Sequence, residues 1–236
     1  MTELLFHQDA YCKVFQAKIV DVSEKWVVLD CTAFYPGGGG QPCDHGVLRI
    51  GEQALPVRKV RRKDGQIWHL IEGGQPEIDA AVEGEIDWQR RYSLMRVHTA
   101  MHILCGVIWR DYGAAVTGGN MELLRGRMDF EFESMGKELV GEIEANVNRE
   151  VVAARPVKVD ILPREEAFQI PDLIRTKINL LPPAIQEVRI VEIEGLDTQA
   201  DGGTHVANTR EVGEIHIVDY KSKGAINKRL VVALDA

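Results

Sequence analysis

Gln89-Arg-Arg-Tyr-Ser-Leu-Met-Arg-Val-His98-Thr-Ala-Met-His102-Ile-Leu-Cys-Gly-Val-Ile-Trp-Arg-Asp-Tyr112 decides how the chain divides. It has no proline and only one glycine, Gly106. Leu94, Val97, Met101 and Leu104/Cys105 fall on one stripe at helical spacing, so the stretch reads as a long helix. The sequence before it has a different texture. Ala17–Asp21, Trp26–Asp30, Val47–Ile50, Leu55–Val60, Gln66–Ile71 and Val82–Trp88 are short apolar-rich runs, and Asp64-Gly65 marks a turn. Short strands at such spacing suggest a small barrel or sandwich over residues 1–88.

After the helix the elements mix. Arg127–Glu133 alternates Met128, Phe130 and Phe132 with charges, as a half-buried strand does. Lys137–Ala154 is helical, with Leu139, Ile143, Val147 and Val151 at i,i+4 spacing. Val157–Leu162 reads as a strand, and Pro163-Arg-Glu-Glu as a helix start. Val188–Ile193, Val212–Val218 and Leu230–Leu234 read as further strands. Residues 89–236 are therefore expected to form a second, α+β domain.

Composition narrows the function. Of 236 residues, 45% are hydrophobic and 27% charged, as in soluble globular chains. No apolar run approaches the ~20 residues that span a bilayer. The N-terminus lacks a basic segment leading into an apolar one, so the expected location is cytoplasmic, with no membrane and no obligate protein partner. Cys12, Cys31, Cys43 and Cys105 form no CxxC pair, which excludes a cysteine-rich zinc ribbon and argues against a disulfide scaffold. The net charge of -8 taken alone points away from nucleic acid. Local tracks oppose it: Arg58, Lys59, Arg61, Arg62 and Lys63 crowd one short run, Arg90-Arg91 opens the helix, and Lys221–Arg229 is basic. A solvated hairpin explains any one of these, and an RNA backbone track explains all three.

Two constellations carry chemistry. His98 and His102 stand at i,i+4 and project from one helix face, as chelation of a divalent ion requires. A metalloprotease would need Glu at the position of Thr99, so that reading fails. Two helix-surface histidines are the competing reading. Asp201-Gly-Gly-Thr-His205 adds a carboxylate and an imidazole in a glycine turn, which alone reads equally as a capped turn. Together the pairs supply three imidazoles and one carboxylate, a sound set for zinc. Gly37–Gly40 lacks the GxGxxG spacing and the Gly-Lys-Ser/Thr of a phosphate loop. Ala115–Asn120 reads as another glycine turn, and His216 as a structural residue on a strand.

These motifs occur in an order that resembles the AlaX family of free-standing alanyl-tRNA editing proteins, in its medium-length form. The resemblance rests on His98-Thr-Ala-Met-His102, on Gly-Gly-Thr-His205-Val-x-x-Thr209-x-Glu211-Val-Gly213, and on Asp30-Cys-Thr32-Ala-Phe-Tyr-Pro-Gly-Gly-Gly-Gly-Gln41-Pro-x-Asp44-x-Gly46. It covers nearly the whole chain. It implies a translation-protein-like β-barrel over 1–88, then an α+β editing domain over 89–236 with a mainly antiparallel sheet and one zinc ion. Ligands at HxxxH and CxxxH would fall on His98, His102, position 201 and His205, and position 201 here is Asp. The synthetase's editing domain has a polar residue where this chain has Gly118, which turns attention to Thr117.

The implied reaction is ATP-independent deacylation of mischarged tRNA(Ala), chiefly Ser-tRNA(Ala), with Gly-tRNA(Ala) as a second substrate. A pocket sized for alanine discriminates poorly against glycine and serine, so a second site must select and hydrolyse the wrong ester. Thr32, Gln41, Thr99 and Thr117 are the substrate-positioning candidates. Arg58, Lys59, Arg61, Arg62, Lys63, Arg90 and Arg91 are the candidate tRNA backbone contacts. A zinc-dependent hydrolase of small esters or amides and a non-catalytic RNA-binding relative are the rival readings.

Overall fold

The computed structural model describes residues 2–74, 76–176, 181 and 185–236. It divides into two compact units, Met1–Tyr92 and Ser93–Ala236. In the first, β1 (Glu3–Leu4), α1 (Leu5–Gln8) and β4 (Cys31–Thr32) accompany six longer strands. These are β2 (Val14–Ser23), β3 (Trp26–Leu29), β5 (Gly46–Ile50), β6 (Gln53–Lys63), β7 (Gln66–Ile71) and β8 (Ala81–Ile86). They close into an antiparallel barrel in the order β2-β3-β7-β6-β5-β8. Alternation is the main cause: Phe15, Ala17 and Ile19 of β2 and Ile67 and Ile71 of β7 point into one core, and a register shift between Val57 and Lys59 lets both Val57 and Val60 of β6 join it. Every strand anticipated before Trp88 lies in this barrel, Gln66–Ile71 with the same ends and the others with altered ones. Trp88 does not end β8 but starts the following helix.

The second unit is built on α2 (Trp88–Tyr112), which begins in the first unit. The anticipated stripe is buried, and so are Met95, Ala100, Ile103, Val107 and Ile108 on other sides of the helix. A helix enclosed all round can hold polar side chains away from water, and this one holds the two histidines. A four-stranded antiparallel sheet follows the order β14-β15-β10-β9, from β9 (Val116–Glu122), β10 (Arg125–Glu131), β14 (Ile215–Ser222) and β15 (Asn227–Leu234). A three-stranded one joins β11 (Val157–Pro163), β12 (Glu187–Ile193) and β13 (Asp197–Ala200), also antiparallel. α3 (Lys137–Val152) buries Val140, Ile143, Val147 and Val151.

Three local expectations are corrected. Residues 115–120 are not a glycine turn but largely strand β9, with Gly118 and Gly119 facing Asp129 and Met128 of β10. Small residues serve close packing here: a Cβ on the neighbouring Gly126 would stand 2.6 Å from Met101 Sδ, so the sheet lies directly on α2. Val212 does not begin a strand. Asn208 and Glu211 form a reciprocal capping box that starts a 3-10 turn over Thr209–Val212, and β14 begins at Ile215. The proline-led helix is the single turn α4 (Arg164–Ala167). Among the described residues no helix is long and apolar enough to cross a membrane.

Candidate metal centre

His98 and His102 project from α2, and the loop after β13 brings Asp201 and His205 to them. That loop is pinned by its backbone: Asp201 N–H donates to the Arg189 carbonyl (3.1 Å), and Arg189 Nη1 donates to the Asp201 carbonyl (2.9 Å). Asp201 Oδ1 accepts from Gly203 N–H at 2.6 Å, which is the capped turn anticipated from sequence. The same carboxylate faces the histidines. Oδ1 lies 3.2 Å from His205 Nε2, and Oδ2 lies 3.6 Å from His98 Nε2 and 4.0 Å from His102 Nε2. One donor atom from each of the four residues lies within 4.8 Å of the others. The His98 and His205 rings stack with centroids 4.2 Å apart. Asp201 thus forms the capped turn and also belongs to a group that could hold a metal ion.

Each imidazole is also held from behind. His102 Nδ1 meets Asp197 Oδ2 at 3.2 Å, His205 Nδ1 meets Thr99 Oγ1 at 3.2 Å, and His98 bonds the backbone of Thr204. Outer partners of this kind fix the tautomer and turn the other ring nitrogen towards a metal. Thr99 Oγ1 also accepts Val206 N–H, so this one hydroxyl ties α2 to the loop carrying His205. Asp197 is itself clamped, accepting from Gln199 Nε2 (2.6 Å) and Arg175 Nε (3.3 Å). The Arg175 guanidinium lies over the Trp109 ring. Gly106 makes this approach feasible, because a Cβ there would stand 2.9 Å from Asp197 Cβ. Sequence reasoning missed Asp197, Arg175 and Gln199. The available signal was Gly106 itself, a glycine inside a helix one turn beyond His102.

The electrostatics suit a cation. Burial pushes His98 down to about 4 and His205 well below its ordinary value. His102 is raised: burial acts downwards, but the Asp197 hydrogen bond and the carboxylates outweigh it. Burial pushes Asp201 up, and the imidazoles around it, His98 first, outweigh that and hold its carboxyl well below the ordinary range. Nitrogen lone pairs and one anionic oxygen thus converge in a water-poor pocket. The donor set of three imidazoles and a carboxylate fits a tetrahedral divalent ion.

Thr117 is exposed on β9 and donates to Asn227 Oδ1 at 2.8 Å. In the barrel unit Thr32 is fully buried; its Oγ1 lies 2.9 Å from His69 Nε2 and accepts Phe34 N–H. Gln41 is buried where its backbone pairs with Gly38, closing the four-glycine loop. Arg58 and Lys63 pair with Glu72 and Asp64, while Lys59, Arg61 and Arg62 are exposed on β6. Arg90 Nε donates to the Cys43 carbonyl (3.0 Å). Arg91 must be removed from the RNA-contact set. It has no exposed surface, its Nε donates to both oxygens of Asp44 (3.1 and 3.0 Å), and its other nitrogens donate to the Ala10 and Ala33 carbonyls. Its charge is spent on Asp44, the acidic residue of the glycine motif.

A β-barrel unit and an α+β unit with a buried three-histidine, one-carboxylate cluster define a class of synthetase-type editing module, and comparison with known proteins agrees. Residues 6–90 match the family of tRNA synthetases class II (A), and residues 188–231 match the threonyl and alanyl tRNA synthetase second additional domain. The chain belongs to the AlaX-M family of alanyl-tRNA editing proteins. It is 40% identical to alanyl-tRNA editing protein AlaX-M of Saccharolobus solfataricus, over 98% of each chain. It is 39% identical to AlaX-M of Methanosarcina barkeri, over 99% of each. It is also 42% identical to the alanine–tRNA ligase of Pyrobaculum aerophilum, covering 92% of this chain and 25% of the ligase.

Proposed function

We propose that this chain is a trans-editing deacylase. It hydrolyses the ester that joins a wrong amino acid to tRNA(Ala), chiefly serine and secondarily glycine. The observation that carries this reading is the convergence of His98, His102, Asp201 and His205 in a chain of the AlaX-M family. These four residues would hold one zinc ion, and cytoplasmic action follows from the substrate. Bound there, zinc would position the aminoacyl end, since four protein ligands would leave no open coordination site for a polarised water.

The chain's own residues do the rest. Asp197, Thr99 and the Thr204 backbone keep each imidazole turned inward. Gln41 and Thr117 are assigned to position substrate, Gln41 supported by its place at the end of the four-glycine loop and Thr117 by its exposed hydroxyl. Thr32 and Thr99 are assigned to hold His69 and His205. Selecting serine by hydrogen-bonding its hydroxyl discriminates far better than excluding it by size. Lys59, Arg61 and Arg62, with Arg58, Lys63 and Arg90, are assigned to contact the tRNA.

Deacylation of Ser-, Gly- and Ala-tRNA(Ala), measured side by side with zinc supplied, tests the proposal. Ser-tRNA(Ala) is expected to be cleaved fastest and Ala-tRNA(Ala) spared. No cleavage of the seryl ester sinks it, and equal turnover of a small seryl ester without tRNA would favour a general esterase.

A further inference from the structure

Charge is distributed unevenly over the barrel. Arg58, Lys59, Arg61, Arg62 and Lys63 all lie on β6, in a chain of net charge -8. Arg58 and Lys63 sit in exposed ion pairs, which contribute little, while Lys59, Arg61 and Arg62 form no ion pair among the described residues. Their neighbours are aromatic. The strand register sets Arg61 across from Trp68 and Lys59 across from Leu70, and on the next strand Trp26 lies across from Leu70. Val27, Val60, Ile67 and His69 point inward, so alternation puts Trp26, Trp68, Lys59 and Arg61 on the barrel's outer face. The Arg61 guanidinium lies 4.0 Å from the centroid of the Trp26 ring. The Trp68 indole Nε1–H is buried and has no hydrogen-bond partner among the described residues, so Trp68 contributes apolar ring surface rather than a donor.

An arginine stacked on an indole is held flat and presents its other face outward. Unpaired nucleobases stack on such planes, and neighbouring cations meet the phosphates. A duplex hides its base faces and can use only the charges, for which a lysine would serve as well as an arginine. We infer that this outer face of the barrel binds unpaired RNA, with the Arg61–Trp26 stack as the base platform and Lys59 and Arg62 as phosphate contacts. The inference rests on the editing reading only in taking RNA as the partner.

The test uses the full chain with a fluorescent oligoriboadenylate of about ten nucleotides, and a blunt RNA duplex of the same length. Anisotropy titrations over a range of salt concentrations give affinity and salt slope. The single strand is expected to bind at least about tenfold more tightly than the duplex. Arg61→Lys keeps the charge but removes the plane; it is expected to weaken binding about five- to tenfold with an unchanged salt slope. Trp26→Phe should weaken binding in the same direction, whereas Arg62→Lys should stay within about twofold. Replacing both Lys59 and Arg62 by Glu should flatten the slope by about 1.4, two phosphate contacts at ~0.7 each on single strands. Equal affinities for strand and duplex, or Arg61→Lys indistinguishable from the parent, overturn the platform. Deacylation of Ser-tRNA(Ala) by the same preparation separates the two readings. A chain that deacylates but is indifferent to Arg61→Lys loses only this inference, and one that binds as described without deacylating loses only the editing reading.

Discussion

Both units bury polar groups, and two sets of them, one in each unit, are arranged in opposite ways. In the barrel unit Arg91 is matched by Asp44, and His69 lies between Thr32 and the Val27 carbonyl. In the second unit three imidazole nitrogens and one carboxylate are turned towards one another, and their outer atoms are the ones with conventional partners. A closed network stabilises a fold by itself. A convergent one offers several donor atoms to a single cation, and the free energy of binding that cation would couple to the fold. The same residue type, buried histidine, is therefore closed into a hydrogen-bonded pairing at position 69 and part of a group that could hold a metal ion at 98, 102 and 205.

The largest expected effect breaks the convergent side. His98→Ala or His205→Ala should reduce zinc from one per chain to near none and abolish deacylation, as elemental analysis and aminoacyl-ester assays would read. Full zinc content in either variant would refute the ligand assignment. On the closed side, Arg91→Ala leaves Asp44 as an uncompensated buried charge and should cost about 3–5 kcal/mol in urea unfolding. A loss below about 1 kcal/mol would show that the pair contributes little.

His69 sharpens the contrast through pH. Burial lowers it to about 4 in the folded barrel, against the ordinary 6.5. Between those values the unfolded chain takes up a proton that the folded chain refuses. Stability from this group is therefore complete above pH 6.5 and falls as pH drops towards 4, by up to about 3 kcal/mol. Unfolding midpoints of the parent and His69→Asn, compared from pH 7 to pH 4, should differ in slope in that window. Parallel curves would assign the acid sensitivity to other groups.

The smallest effect probes the seam between the two behaviours. Asp197→Asn keeps size but loses the charge behind His102, and should weaken zinc binding about 10- to 100-fold. Competition with a chromophoric chelator measures the affinity, and nitrogen chemical shifts of His102 report its tautomer. An unchanged affinity would make Asp197 a packing residue only.

What the sequence disclosed depends on how far each contact reaches. The barrel strands were legible because alternation is local, and the His98–His102 pair because i,i+4 on one helix is a geometric statement. Asp201 and His205 were legible as a second short-range pair whose type complements the first. Asp197 was not, since its contact with His102 spans 95 residues and depends on a helix–strand approach that only Gly106 hints at. Arg90-Arg91 looked like one basic surface, but successive helix positions point about 100° apart, which takes Arg91 inward to Asp44 while Arg90 reaches the Cys43 carbonyl. Gly118-Gly119 looked like a turn because glycine suits both a bend and a tightly covered strand. Only the neighbours in the sheet tell them apart.

Asp201 has one more consequence. A cluster of three imidazoles and a carboxylate contains no sulfur, so oxidants that convert thiolate ligands to sulfenic and sulfinic acids have no ligand to attack. Among the described residues the thiol linked to the Asp197–Gln199 pair is Cys105, which is buried and whose ionisation is pushed well above the ordinary range, first by burial and then by the Asp197 charge. It stays protonated and unreactive. Where the family resemblance places a cysteine, this chain carries Asp201, whose carboxylate peroxide leaves intact.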